Sequence, residues 1–488
     1  MTLGDVTTAT TRTSVGQDTP GPDTTDPNPP SPAVPDRAAL VRELPDGLVT
    51  TDPATLEQYR WDWSRDPACE TPLAVVRPRS TAEVAEVMRW ASRHRVPVVP
   101  RGAGTSLSGG SRGIAGAITL SLERMTTVTV DPRLRVVVAQ PGALNTDVKA
   151  AAAHHGLWYP PDPSSYEMCS IGGNVATNAG GLCCVKYGVT RDFLLALEVV
   201  LVDGTVVRLG APLVKNVAGL SLKDLFVGSE GSLGIVTEVT SRLLPAPQVP
   251  ATLVASFAST AAAAEATVAI MSRLRPSMLE LMDNVTINAV EDMTAMGLDR
   301  AAGALLIARS DVGGAGGEAE IAVIARCCED AGSGEVFSTT DEAEGEALVS
   351  ARRLALVALE RRGVNLLEDT GVPVPSLPDL LAGIAQLSVR HDVEIAVVAH
   401  AGDGNTHPVI VVDRGDPSAM ERAKRAFGDI MDLAVSLGGT ITGEHGVGHL
   451  KKDWLESQVG PEVMALQQKV KTALDPDGLL NPGVSGLI

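Results

Sequence analysis

Cations, cysteines and long apolar runs are all in short supply in this 488-residue chain. Forty Lys and Arg against 59 Asp and Glu leave a formal charge of -19, which argues against nucleic acid or an anionic membrane surface as the main partner. The six cysteines include the adjacent pairs Cys183-Cys184 and Cys327-Cys328 and match neither a metal-ligand spacing nor a secreted disulfide framework. They are expected as reduced thiols in a cytoplasmic protein, and an iron–sulfur cluster is excluded because no thiolates stand at motif spacing. No run approaches the roughly 18 apolar residues of a membrane span, and the Thr- and Asp-containing start lacks the charged and apolar regions of a signal peptide. Aromatic residues make up only 3%, so the core is expected to be Ala, Val and Leu.

What is present divides into a tail and three blocks. Residues 1–37 are Thr, Pro, Asp and Gly with almost no large apolar side chain, a composition predicted to stay disordered. The block 38–247 reads as α+β. Ser80 with Glu83 forms a capping box ahead of Val84, Val87, Met88 and Ala91, predicting a helix that ends near Arg95 and leads into a strand from Val96. Strand signals follow at Val128 to Val130 and Val136 to Ala139, and a hairpin at Leu197 to Leu209 turns on Asp203-Gly204. From 248 to 433 strands and helices alternate: strand Thr252 to Phe257, helix Thr260 to Leu274, a strand near Leu279, strand Leu305 to Arg309 and helix Glu318 to Cys328. Two such β-α-β units suggest a small ferredoxin-like sheet. A helix opened by a Ser418 and Glu421 capping box and closed by Gly438-Gly439 is expected next. The last block, 434–488, is expected to be a helical segment with a final helix from Pro461.

Three Gly-rich loops interrupt the first block. Pro100-Arg101-Gly102-Ala103-Gly104-Thr105-Ser106-Leu107-Ser108-Gly109-Gly110 follows a strand and offers bare backbone N–H groups and hydroxyls, which is what a phosphate needs. It lacks the Gly-Lys-Ser/Thr end of a P-loop and the helix pattern of a Rossmann fingerprint. Pro160 to Ser165 with Ser170 to Gly181, and Val227 to Glu238, are the other two. Together they suggest one long phosphate-bearing ligand wrapped by backbone.

A second chemistry gathers near the C-terminus. His400-Ala401-Gly402-Asp403-Gly404-Asn405-Thr406-His407 follows the strand signal Ile395 to Ala399, and a tight turn would bring its two imidazoles side by side. Thr442-Gly443-Glu444-His445-Gly446-Val447-Gly448 adds a carboxylate and a third imidazole. Two imidazoles and a carboxylate with open positions suit Zn²⁺ or another first-row divalent ion. His391 and His449 fall outside these motifs and are expected at the surface or behind the site.

These stretches resemble the vanillyl-alcohol-oxidase (p-cresol methylhydroxylase) superfamily, and within it the FAD-linked D-2-hydroxyacid dehydrogenases, from about Leu44 to the C-terminus. The resemblance implies an α+β chain: a PCMH-type FAD-binding domain of two α+β subdomains, a ferredoxin-like substrate or cap domain with the metal site, and a C-terminal helical segment that completes the active site. It implies that FAD is held by Arg101, Gly102, Ala103, Gly104, Thr105, Ser106, Gly109 and Gly110. Pro161, Asp162, Gly172, Gly173, Asn178, Gly181, Gly234, Ile235, Val236 and Asn481 would hold the rest of the cofactor. Thr105 or Ser106 stands where covalent members place a His, so the FAD is expected to be non-covalent. The resemblance further makes His400, His407 and Glu444 ligands of a divalent metal, Zn or Mn, with His445 the base and Arg352 the grip on the substrate carboxylate. Arg353, Arg361 and Arg362 are expected as solvated helix residues.

The expected reaction is oxidation of a small D-2-hydroxy acid, of lactate or glycolate type, to the 2-oxo acid with hydride transfer to flavin N5. Val349, Val374 and Leu367 depart from the family's Trp, Arg and Lys positions, and with His407-Pro408 they favour a small or apolar substrate over a dicarboxylate. The electron acceptor stays open among quinone, cytochrome, electron-transfer flavoprotein and oxygen, as does a peripheral membrane or iron–sulfur partner subunit at the inner face of the membrane. A D-2-hydroxyglutarate dehydrogenase, a non-catalytic flavin subunit and a flavin-free metallohydrolase are the alternatives.

Overall fold

Leu40 and Leu44 bury themselves against the helix Thr81–His94 and the strand Ala74–Val76, so the first described helix, Arg37–Glu43, already belongs to a core. The computed structural model describes residues 37–413, 416 and 418–487. The expected disorder of 1–37 therefore lies outside the described residues except at Arg37. That residue opens the helix because Leu40, three positions on, supplies the buried apolar anchor the tail composition lacks.

Ser80 accepts from Glu83 N and starts the helix Thr81–His94, while Glu83 reaches back to Arg79 N. Val84, Val87, Met88, Trp90 and Ala91 line its buried face at helical spacing, each large side chain contributing about 1.5–3 kcal/mol of burial. Arg95 ends it in the left-handed conformation, φ 52°. The helix covers a four-stranded sheet, in which Val98–Arg101 and Ala74–Val76 flank Ile118–Ser121 in parallel and Val49–Thr50 joins antiparallel. The first glycine loop leaves the end of Val98–Arg101, where parallel strands release the chain at an edge suited to ligands.

A five-stranded antiparallel sheet follows, ordered Val128–Asp131, Val136–Ala139, Ile235–Arg242, Leu194–Val200, Val206–Gly210. The Leu194–Val200 and Val206–Gly210 hairpin turns at Asp203-Gly204, with Gly204 at φ +81° and Asp203 Oδ1 accepting from Thr205 N.

The next block forms one eight-stranded sheet, larger than the small one anticipated, and all of its pairs are antiparallel. Ala251–Phe257, Ala304–Ser310 and Met278–Asp283 form its first half with Val336–Thr339 at the edge. Glu394–His400 pairs with Met278–Asp283, and Asn405–Val412, Val364–Leu367 and Thr370–Gly371 extend the other half. The helices Thr260–Met271, Gly314–Asp330, Leu377–His391 and Ala419–Ser436 bury Ala, Ile and Leu against one face. The expected Ser418 cap is corrected: Ser418 has helical backbone angles, φ -87° and ψ -16°, and its hydroxyl donates to Asp416 and accepts from Arg422 while taking no backbone N–H of the helix it precedes. Pro461 does open the last long helix, Pro461–Leu474. Among the described residues, no helix is long and apolar enough to cross a membrane.

Candidate active site

Gly102 leaves the strand Val98–Arg101 beneath Ser170, whose hydroxyl accepts from Ala103 N at 3.3 Å and Gly173 N at 3.3 Å; a Cβ on Gly102 would collide with that hydroxyl. Gly104 holds φ +75° above the Arg101 guanidinium, which donates to Ser111 O and lies over the Tyr59 ring. Trp63 N and Ser64 N take Gly104 O and Ser106 O, pinning the loop by its carbonyls. Among the described residues, no protein acceptor takes the backbone N–H groups of Gly104 through Gly109. A run of free N–H donors held rigid is an anion cradle.

Arg101, Gly102, Ala103, Gly104, Thr105, Ser106 and Gly110 line a cavity of about 730 Å³, together with Gly172, Gly173, Gly234, Ile235 and Val236. The other expected cofactor residues stand behind that wall. Asn481 Nδ2 donates to Gly110 O and Glu230 O, fixing two glycine loops at once. Asn178 caps the helix Ile171–Thr177 in the left-handed conformation, and Pro161 O accepts from Asn145. Gly181 packs on the Asp162 backbone and Gly109 stands near His449, whose N–H donates to Ser108 O. Gly172 and Gly234 also press on protein, against Pro141 and against Val199 and Phe226, so their bareness serves packing as well as the cavity.

The same cavity is lined by Arg352, His407, Glu444 and His445. His400 ends the strand Glu394–His400 and His407 lies in Asn405–Val412, the two strands joined by a turn in which Gly404 has φ +80° against Val372 O. The imidazoles meet edge to face with centroids 5.2 Å apart, and His445 stacks on His407 at 4.9 Å. Glu444 Oε1 lies 3.4 Å from His400 Nε2, 3.3 Å from His407 Nε2 and 3.7 Å from His445 Nε2. Ligands about 2.0–2.1 Å from a tetrahedral Zn²⁺ stand about 3.3 Å apart, and the separations of Glu444 Oε1 from His400 Nε2 and His407 Nε2 match that spacing. One ligand atom from each of the three lies within 4.8 Å of the others, and the buried His400 Nε2 has no hydrogen-bond partner.

Charge in this cluster is organised by residues the sequence patterns did not single out. Glu280, fully buried on Met278–Asp283, places Oε1 2.8 Å from His400 Nδ1 and Oε2 2.8 Å from Arg352 Nε. Burial pushes the His400 imidazole down, but Glu280 and Glu444 outweigh it and raise it well above its ordinary range. Two carboxylates around one imidazole make a place that favours positive charge, whether proton or metal. Asp369 Oδ2 accepts from Thr442 Oγ1 and from the backbone N–H of Gly443, Glu444 and His445 at 2.7–3.0 Å. Burial raises the Asp369 carboxyl, but His445, Lys451 and His407 hold it below the carboxylate range. Burial lowers His445 to about 4, so it is a neutral imidazole at neutral pH despite the Asp369 charge beside it.

The arginine assignments divide. Arg352 is buried on the cavity wall, ion-paired with Glu280, and neither its Nε nor its Nη2 has a hydrogen-bond partner. Arg353 corrects the expectation of a solvated residue: it also lines the cavity, pairs with Asp162 at 3.6 Å and covers the Tyr166 ring, because the last turn of Glu342–Arg353 faces the glycine loops. Arg361 is exposed, and Arg362 reaches Glu394 at the surface. His391 pairs with Asp429 away from the site.

Two family models match the chain, the FAD binding domain over residues 72–210 and the C-terminal domain of FAD linked oxidases over 246–484. The glycolate oxidase subunit GlcD of Bacillus subtilis is 40% identical over 415 residues, 84% of this chain and 88% of that protein. The D-lactate dehydrogenase of Archaeoglobus fulgidus is 33% identical over 434 residues, 88% of this chain and 95% of that one. The solved p-cresol methylhydroxylase shares the fold at TM-score 0.76 and 17% identity, with 92% of this chain and 96% of that chain covered.

Proposed function

Because the chain belongs to the FAD-linked oxidases, and is thereby an FAD-linked oxidoreductase, we propose that it oxidises a small D-2-hydroxy acid of lactate or glycolate type to the 2-oxo acid. The observation that carries this reading is the single cavity that joins the glycine loops to Arg352, His407, Glu444 and His445. The free N–H groups of the first loop suit the FAD pyrophosphate, and His400, His407 and Glu444 suit a divalent ion, Zn or Mn. When bound, the flavin would supply a hydride acceptor and the ion would supply Lewis acidity towards a hydroxyl.

The chain's own residues supply position and proton transfer. Arg352 offers its unpartnered Nη2 to the substrate carboxylate, where a guanidinium forms paired hydrogen bonds. Neutral His445 takes the hydroxyl proton at Nε2, and Asp369, 4.0 Å from its Nδ1, stabilises the imidazolium. Leu354, Leu356, Leu367 and Val398 face the cavity, and Arg353 is already engaged by Asp162, which favours a small or apolar side chain over a second carboxylate.

No group of cysteines within metal-ligand reach occurs among the described residues, so the reading sends electrons to an external acceptor: quinone, cytochrome, electron-transfer flavoprotein or oxygen. Relatives named as a glycolate oxidase subunit support a partner subunit for that step.

The test is an anaerobic visible spectrum during addition of D-lactate, glycolate and D-2-hydroxyglutarate, repeated after chelation. Flavin bands near roughly 370 and 450 nm are expected to bleach with the first two and to persist after chelation. A higher kcat/KM for D-2-hydroxyglutarate than for D-lactate would overturn the substrate class.

A further inference from the structure

We infer that Glu280 is a positioning residue that holds the metal ligand His400 on one oxygen and the carboxylate-binding Arg352 on the other, so that both binding events depend on one buried side chain. The inference rests on the proposed function for the roles of His400 and Arg352. Glu280 sits on Met278–Asp283, a strand whose six residues are all buried, where an unpaired carboxylate would be costly. Its two oxygens are divided between the two partners at 2.8 Å each. Holding the His400 Nδ1 proton fixes the tautomer and leaves Nε2, which lies 3.4 Å from Glu444 Oε1, as the ligand atom. The ion pair at Arg352 Nε holds the guanidinium charge at the cavity wall without a directed hydrogen bond, and Nη2 stays unpartnered there. Carboxylates that orient metal-bound imidazoles are worth 10–100-fold in metal affinity.

The experiment compares wild type, Glu280→Gln and His400→Ala. Zn²⁺ affinity is measured by competition with a chromophoric chelator, FAD content by absorbance, and D-lactate kinetics at saturating Zn²⁺. Glu280→Gln is expected to keep its FAD, bind Zn²⁺ about 10–100-fold more weakly, and raise KM for D-lactate more than it lowers kcat. Wild-type Zn²⁺ affinity in Glu280→Gln, or a loss confined to kcat, overturns the inference. If Glu280→Gln fails to fold, Glu280→Gln/Arg352→Gln leaves no unpaired buried ion, and wild-type Zn²⁺ affinity in that double variant overturns it equally. Zn²⁺ that fails to bind wild type would sink the metal site itself. Binding lost in His400→Ala but retained in Glu280→Gln would sink only the role of Glu280.

Discussion

Asp369 Oδ2 accepts the backbone N–H of His445 at 2.8 Å, across 76 positions of sequence, and the same oxygen takes the N–H groups of Glu444 and Gly443. The loop that carries Glu444 and His445, the proposed ligand and base, is therefore held by one buried anion. Asp369→Asn can still offer one amide oxygen to those N–H groups but removes the buried negative charge that His445, Lys451 and His407 face. It is expected to cost about 2–4 kcal/mol of stability and to slow flavin reduction by about a hundredfold or more, with FAD retained. Thermal melting and stopped-flow reduction by D-lactate check this, and a reduction rate within a few-fold of wild type would count against it.

The two side chains of that loop are expected to separate cleanly. His445→Ala should keep FAD and metal while flavin reduction falls by about 10²–10⁴, the usual worth of a general base. Glu444→Ala should lose the metal, because its Oε1 is the atom shared by His400 and His407. Metal analysis and single-turnover spectra on both variants decide the matter; normal reduction by His445→Ala rejects the assignment of the base.

No imidazole stands in the first glycine loop, where Thr105 and Ser106 occupy the turn after Gly104. FAD is expected to stay in the supernatant after acid precipitation of the protein. Yellow colour in the washed pellet would show a covalent bond.

Asp283 provides a pH test away from the proposed metal ligands. It caps the helix Asn284–Thr294 by accepting from Thr286 N at 2.9 Å, and burial pushes its carboxyl up to about 6 against those hydrogen bonds. A carboxyl whose folded pKa is raised binds protons more tightly in the native state, so stability falls as pH rises from about 4 through 6. Asparagine caps a helix as well as aspartate does and carries no charge to bury. Asp283→Asn is therefore expected to stabilise the protein by about 1–3 kcal/mol at pH 7.5 and by nothing at pH 4. Denaturant melts at the two pH values measure the difference, and a gain equal at both would contradict the burial argument.

The sequence by itself determined the features set by chain neighbours. The Ser80 cap, the hairpin at Asp203-Gly204, the glycine loops and the spacing of His400 and His407 all act within a few residues, so composition and spacing expose them. Only the tertiary structure decided which side chains govern them. Glu280 lies 120 positions before His400 and reads as one polar residue in an apolar strand, and Arg353 reads like any charge at a helix end. Nor does sequence separate Gly104, whose free N–H suits a phosphate, from Gly172, which is bare because Pro141 packs against it. Pairing a buried charge lowers its energy only when folding brings its partner within about 3–4 Å. That distance is a property of sheet register and helix packing, and no local stretch of sequence carries it.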